Sequence, residues 1–410
     1  MSVLKIHNAL LTYFFGIWLI FPKTAGVLIL LILVCNLVGW LQKENTFKST
    51  WKFLPWYLLF AAYVVASFLS PDLGLGLSEL ERKLSLIAFP LIFSFQWKVP
   101  IRLNRIWLIH VIACLILVVL AFYDAWMCSQ DMGHIVRCFS TSYFSQIHHP
   151  TYFSAFLIFA IIGLLYNEVE WFNGRSLGFR IILIVLFSAI HLNIGSLGGI
   201  LSLLLIFSIY FFHQGVARWG RMKALALGGV GFSALFLMAY ANREIRADIQ
   251  NALSFTEAYL HSPSDFVQGR HEPLQGNEVR LILWTASFNI VGEHPFGLGM
   301  GQLDQAMAKQ LNEWGYPQQA KKNFNPHNQW LQITNELGIL GLLIAVILLW
   351  FAYQHVPQDY KPIFTLFLLC FVVLSSFESV LQRQSGIVFF LSWMAVFIAM
   401  AKPNFDSIRS

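Results

Sequence analysis

The chain has 410 residues, of which 57% are hydrophobic and 12% charged, and its mean hydropathy is +0.63. That balance excludes a soluble globular domain and marks a polytopic membrane protein. The formal charge of +6 reflects a bias among loops plus attraction to lipid headgroups; it is not a nucleic-acid footprint.

Apolar runs of about the length that spans a bilayer, roughly 17–25 residues, number twelve. They fall at 9–22, 25–41, 53–70, 83–97, 105–127, 150–166, 178–194, 196–212, 223–240, 337–354, 362–378 and 384–401. The first, fourth and eleventh are short or interrupted. The first lacks an Ala-x-Ala-like cleavage site and reads as a retained span. With the N-terminus inside, one side carries 15 basic residues, among them Lys5, Lys98, Arg102, Arg105, Arg175, Lys361, Lys402 and Arg409. The short loops opposite carry 5: Lys23, Arg82, Lys83, Arg137 and Arg383. This asymmetry places both termini in the cytoplasm and the segment 241–336 outside. The expected layout is nine spans over 1–240, a large outer loop over 241–336, and three spans with a tail over 337–410.

Five cysteines are too few for a disulfide framework. Cys35, Cys114 and Cys370 lie inside apolar runs as packing residues. Cys128 and Cys138 share one outer loop and can pair in an oxidising compartment.

In chain order, the first acidic-basic cluster is Glu79-Leu80-Glu81-Arg82-Lys83. It reads either as interfacial snorkelling with salt pairing or as an anion contact from Arg82 or Lys83. The second outer loop ends His148-His149-Pro150-Thr151-Tyr152, where Pro150 suits the first position of a helix. No further ligands at fixed spacing accompany the histidine pair, so His149 fits a polar contact at a cavity mouth better than a metal site. Spans seven and eight meet at Asn193-Ile194-Gly195-Ser196-Leu197-Gly198-Gly199, a tight turn with close helix approach.

The long loop is polar from Asn242 to Gly276, with Pro263, Ser264 and Asp265 marking a turn. Asn277 then reads as the N-cap of a helix to about Val291, with Arg280 in its first turn. Arginine offers a rigid donor fork suited to phosphate; the alternative is a surface pair with Glu278 or Glu293. His294-Pro295-Phe296-Gly297-Leu298-Gly299-Met300-Gly301 resembles a nucleotide loop only superficially. It has no preceding strand and no Lys-Ser/Thr, so it reads as a turn with close-approach positions. Asn325-Pro326 reads as an N-cap and first helical residue. That puts His327 in a helical first turn, where the dipole would keep the imidazole neutral, and the helix should run through Gly338 into the tenth span. Glu378 and Arg383 end the last two spans at the outer side. They either pair with each other or face the same cavity as Arg280 and His327.

These motifs together resemble the O-antigen ligase family, in the wider group that includes O-antigen polymerases and bacterial protein O-oligosaccharyltransferases. The resemblance covers the whole topology. Its sharpest element is His327-Asn328, nine residues, Gly338, two residues, Gly341. The Asn277–Trp284 helix with its His294–Gly299 turn, His149-Pro150-Thr151-Tyr152, and Leu381-Gln382-Arg383-Gln384-Ser385-Gly386 also fit. Many members carry an arginine where spans seven and eight meet. Here Leu197 stands there, so a phosphate contact is missing or has moved, with Arg383, Arg82 and Lys83 as candidates.

The resemblance implies an all-α, GT-C-like fold of about 12 transmembrane helices in a bacterial inner membrane, with a partly helical periplasmic loop before the tenth. It implies a glycosyltransferase that moves a glycan from undecaprenyl diphosphate to a hydroxyl of lipid A–core, inverting and without metal or nucleotide cofactor. In that reading His327 is the general base, Arg280 holds the diphosphate, and Asn328, His149, Glu378 and Arg383 contact substrate. The rival acceptors are a protein or another glycan. A lipid-linked glycan transporter is a remote alternative, because the charges gather at the outer interface and no internal repeat is visible.

Overall fold

The computed structural model describes residues 2–48, 51–169, 177–241, 243–269, 274 and 276–400. Arg175, Lys402 and Arg409 of the basic bias lie outside the described residues, as does Asn242.

The architecture is helical almost throughout. With no water in hydrocarbon to satisfy a peptide group, an apolar run must close its own backbone hydrogen bonds, and the helix does so within one segment. The first part comprises α1 (Val3–Ile20), α2 (Ala25–Leu41), α3 (Leu54–Phe68), α4 (Leu73–Lys83), α5 (Ser85–Ser94), α6 (Leu103–Met132), α7 (Ile135–Cys138) and α8 (Thr141–Phe144). Then come α9 (Pro150–Leu165), α10 (Leu177–Ile194), α11 (Leu197–Trp219) and α12 (Arg221–Ala241). The segment 241–336 holds α13 (Arg243–His261), α14 (Pro263–Gln268), α15 (Gly276–Glu293), α16 (Leu303–Glu313) and α17 (Pro317–Ala320). The chain ends with α18 (Gln329–His355), α19 (Lys361–Phe377) and α20 (Gln384–Ala399). Among the described residues 8 helices are long and apolar enough to cross a membrane, and α9 and α20 are shorter apolar ones.

The fourth apolar run departs from a full span. Its helix α5 has only 10 residues, contains Pro90, and gives way at Phe95 to a short strand, β2 (Phe95–Trp97), paired antiparallel with β1 (Asn45–Phe47). At about 1.5 Å per residue such a helix covers roughly half of the hydrocarbon layer. Pro90 removes a helix donor, and Asn36 donates to the Ile92 carbonyl at 3.0 Å, which ties the run's end to α2.

The centre of the bundle is built from the two shorter helices. Every residue from Thr151 to Leu165 in α9 and from Gly386 to Ile398 in α20 is buried. A helix apolar on all faces is enclosed by protein rather than half-exposed. Aromatic rings join these helices to α6, with Trp393 4.7 Å from Trp107 and 4.5 Å from Phe159. His148, just ahead of α9, faces Ser385 Oγ at 2.9 Å and the Leu19 carbonyl at 2.6 Å. Cys128 and Cys138 form a disulfide that ties the end of α6 to α7.

The 241–336 segment has a small core of its own. Ile282, Leu283, Ala286 and Ile290 on α15 pack with Met307 and Leu311 on α16. Where this segment meets the bundle, α18 is not continuous. Gly338 has φ +72 and ψ −173, so the stretch 329–337 is a separate half-helix, and the expectation of one helix through Gly338 is corrected. The 295–299 turn fills the break: Ile339 N–H donates to the Pro295 carbonyl, Leu298 N–H to Asn335 and Gly299 N–H to Glu336. A Cβ at Gly338 would lie 2.5 Å from the Phe296 carbonyl carbon, and one at Gly297 would lie 2.6 Å from Gly338 N.

Gly338→Ala is therefore expected to destabilise by at least about 2 kcal/mol, from positive φ plus backbone overlap. Gly229→Ala, where an added Cβ meets nothing within 4 Å, serves as the control. Thermal unfolding of the two purified variants in detergent measures the difference.

Candidate active site

Local backbone chemistry sets the position of His327. Asn325 does not cap a helix. Its Oδ1 accepts from the His327 N–H at 2.9 Å, an Asx-type turn. The N-cap is Asn328, whose Oδ1 accepts from the Trp330 and Leu331 N–H groups at 3.0 and 3.1 Å. His327 therefore lies one residue outside the helix, at φ +48, and the expected first-turn placement is corrected. Asn328 competes better for the cap because it satisfies two free donors at once. Its Nδ2 also donates to the Ser376 carbonyl at 3.3 Å, so both ends of Asn328 are committed to structure rather than to substrate.

The group that faces the His327 ring is a carboxylate, not a helix end. His327 Nδ1 lies 3.3 Å from Glu378 Oε2, and His149 Nδ1 approaches the same oxygen at 3.8 Å. Glu378 is buried where the chain leaves α19. Burial alone would push its carboxyl up. The His327 hydrogen bond and the charges of His327, His149 and Arg383 outweigh that and hold it below the ordinary carboxylate range. His149 is pushed down by burial, against the pull of Glu378. Three buried polar atoms here make no hydrogen bond: Glu378 Oε1, His149 Nδ1 and Tyr152 Oη. His149 stands at the N-cap of α9 with Pro150 beginning the helix, so His149 and Tyr152 fall on one helical face.

Arg280 joins this group from α15. Its guanidinium donates to Asn277 Oδ1 at 2.9 Å and is within electrostatic reach of Glu378, Asp248 and His149. Asn277 thus steers Arg280 from inside the helix, since α15 begins at Gly276. One turn further on, Trp284 Nε1 donates to the Pro326 carbonyl at 3.0 Å. Arg280 and Trp284 share a helical face, and that face meets the His327 turn.

The basic residues of the other loops separate. Lys83 is fully buried and donates to the Leu381 carbonyl at 2.9 Å and to Gln382 Oε1 at 2.6 Å. Its place is inside the fold, so the expected phosphate contact from Lys83 does not fit. Arg82 is exposed and pairs with Glu79 at 2.8 Å. Arg383 is exposed at the start of α20. Arg82 and Arg383 both line a lateral cavity of about 1080 Å³. Below these cations, and beside Glu81, its walls are Ile29 and Leu33 of α2, Leu91 of α5 and Val388 of α20. An open apolar trough with cations at its polar end suits an anionic lipid. Leu197 begins α11 behind its cap Ser196 and packs with Ile200 and Ile245.

Sequence reasoning passed over Gln332 and Glu336, both buried on α18. The signal was present: Gln329, Gln332 and Glu336 recur at the spacing of one helical face. The convergence of Tyr152 with Glu378 had no local signal.

Residues 151–346 match the protein-family model described as O-antigen ligase. The match includes Arg280 and His327, while His149, Glu378 and Arg383 lie outside it. No curated protein matches the chain.

Because the folded carboxyl of Glu378 titrates below its usual value of about 4.3, its contribution to stability is present above that pH. It is lost as pH falls through the folded value. Glu378→Gln is expected to lower stability at pH 7 by about 1.5–3 kcal/mol, the scale of a hydrogen bond to a charged group. The gap to wild type should close in acid, as measured by thermal unfolding across pH.

Proposed function

We propose that this chain, whose residues 151–346 match the family model described as O-antigen ligase, transfers a glycan from undecaprenyl diphosphate to a hydroxyl of lipid A–core. The observation that carries this reading is Glu378 at 3.3 Å from His327 and within electrostatic reach of Arg280 and Arg383, the last of which also lines the apolar trough.

The chemistry follows from the donors and acceptors present. In the deprotonated imidazole of His327, the form that can act as a base, Glu378 accepts the Nδ1–H and leaves the Nε2 lone pair free for the acceptor proton. The acceptor hydroxyl attacks the anomeric carbon of the donor glycan, and its proton passes to His327 Nε2. The anomeric C–O bond to the diphosphate breaks, and the electron pair leaves with the lipid diphosphate. Arg280 and Arg383 take up the developing negative charge. A single displacement of this kind inverts the anomeric configuration and uses no metal. The isoprenoid tail lies in the trough between α2, α5 and α20. The Cys128–Cys138 disulfide and the basic bias of the opposite loops support a periplasmic site on an inner-membrane protein.

The test is transfer by the purified chain from a lipid-linked glycan, with lipid A–core, peptide and glycan acceptors in parallel. Product on lipid A–core is expected. His327→Ala should lower kcat by about 10²–10⁴ and Arg280→Ala by about 10²–10³, while EDTA leaves the wild-type rate unchanged. In cells, His327→Ala should leave lipid-linked glycan on the outer face. Wild-type transfer by His327→Ala would sink the assignment.

A further inference from the structure

A second cavity lies beside the candidate active site. Its volume is about 280 Å³, at the small end for ligand pockets. It is bounded by α4, α16, the 323–325 turn and the first half of α18. Its lining is polar: Glu336, Gln332, Asn325 and Gln382, with Asp304 and Gln305 at the rim.

Glu336 is the informative residue. It is 3% exposed, and its two oxygens differ. Oε1 accepts from Gln332 Nε2 at 2.6 Å and from Gln382 Nε2. Oε2 has no partner. A buried carboxylate oxygen left without a donor is costly, so this wall of the cavity calls for a ligand that brings one.

The class of donor follows from the charges nearby. Lys83 holds Gln382 Oε1 at 2.6 Å, so a cation already stands one amide away from Glu336. Glu79 has its own partner in Arg82. An additional cation is not required, and among the described residues no cluster of three metal-binding side chains occurs. An anion would meet Glu336, Asp304 and Glu79, and the cation on this wall, Arg82, is already paired with Glu79. What fits carboxylate and amide oxygens interleaved with amide N–H groups is a neutral ring bearing several hydroxyls. We infer that this cavity is a subsite for one sugar ring, seated with a hydroxyl donating to Glu336 Oε2 and flanked by Gln332, Asp304 and Gln305.

Its position gives the subsite a role in the transfer, and this inference rests on the function proposed above. Asn325 lines the cavity and accepts from the His327 N–H. Ser379 Oγ bridges Asn325 and Gln332 at 3.3 and 3.4 Å. On the other side, Arg82 and Gln382 line both this cavity and the apolar trough. A ring held here lies between the base and the lipid carrier. It is either the donor sugar next to the diphosphate or a sugar of the acceptor.

The experiment uses the full chain in detergent and has two arms. In the first, saturation-transfer NMR is run with methyl glycosides of glucose, galactose and N-acetylglucosamine. Wild type should show transfer to at least one, and the rim variants Asp304→Asn and Gln305→Leu should lose it. In the second, KM is measured separately for lipid-linked donor and for acceptor. One KM should rise about tenfold in the rim variants, the scale of one or two lost hydrogen bonds, with kcat within about twofold. A rise in the donor KM identifies a donor sugar, and a rise in the acceptor KM an acceptor sugar. Glu336→Gln should repeat the effect; thermal unfolding checks each variant's fold, and the rim variants carry the test if Glu336→Gln does not fold. No saturation transfer to any glycoside, or rim variants equal to wild type in both arms, overturns the subsite. If wild type binds a glycoside but transfers no glycan, the proposed function fails and the subsite stands.

Discussion

The break in α18 at Gly338 is the constraint on which the site depends. A helix interrupted in a protein interior frees backbone carbonyls that no water can reach. Here the 295–299 turn supplies the missing donors to Asn335 and Glu336. That turn follows directly on α15, the helix that bears Arg280. The half-helix 329–337 in turn bears Asn328 at one end and Glu336 at the other. One backbone junction therefore fixes the helix of the candidate phosphate ligand against the half-helix that the candidate base immediately precedes. Gly341 fits the same logic, because an added Cβ there would meet the Leu337 side chain at 2.2 Å.

Among the described residues, buried charge gathers in two sets. In one, Lys83 and Glu336 are joined through Gln382, which spreads the charge across an amide. In the other, Glu378 stands among His327, His149, Arg280 and Arg383. Each set offsets part of a desolvation cost that an isolated ion could not meet. They differ in what they leave open. The Glu378 set connects through exposed Arg383 to the lateral trough, and the Glu336 set opens on a polar cavity.

The errors of the sequence reading have physical causes. Run 83–97 has the composition of a span, but Pro90 and the pairing of Phe95–Trp97 with Asn45–Phe47 stop its helix at 10 residues. Asn325-Pro326 has the form of a helix start, yet Asn328 offers a cap with two donors, so the helix begins later. Lys83 sits in a charged cluster at a span end, which looks interfacial. The packing of α4 against the 381–382 segment carries it inside. The first and third are local patterns overruled by a partner distant in the chain, and the second by a stronger cap three residues on.

Sequence alone determined the membrane class, the positions of the apolar helices apart from the run 83–97, the polar character of the segment before the tenth run and the glycine-marked turn. These depend on composition and short-range periodicity, which a single chain displays directly. The pairing of Arg280 with the His327 turn was foreseen only as a shared cavity. That Glu378 would be the group between them, with His149 and Tyr152 beside it, was decided by tertiary structure. Those side chains come from helices separated by hundreds of residues, and which helix ends meet is set by packing and desolvation rather than by local spacing.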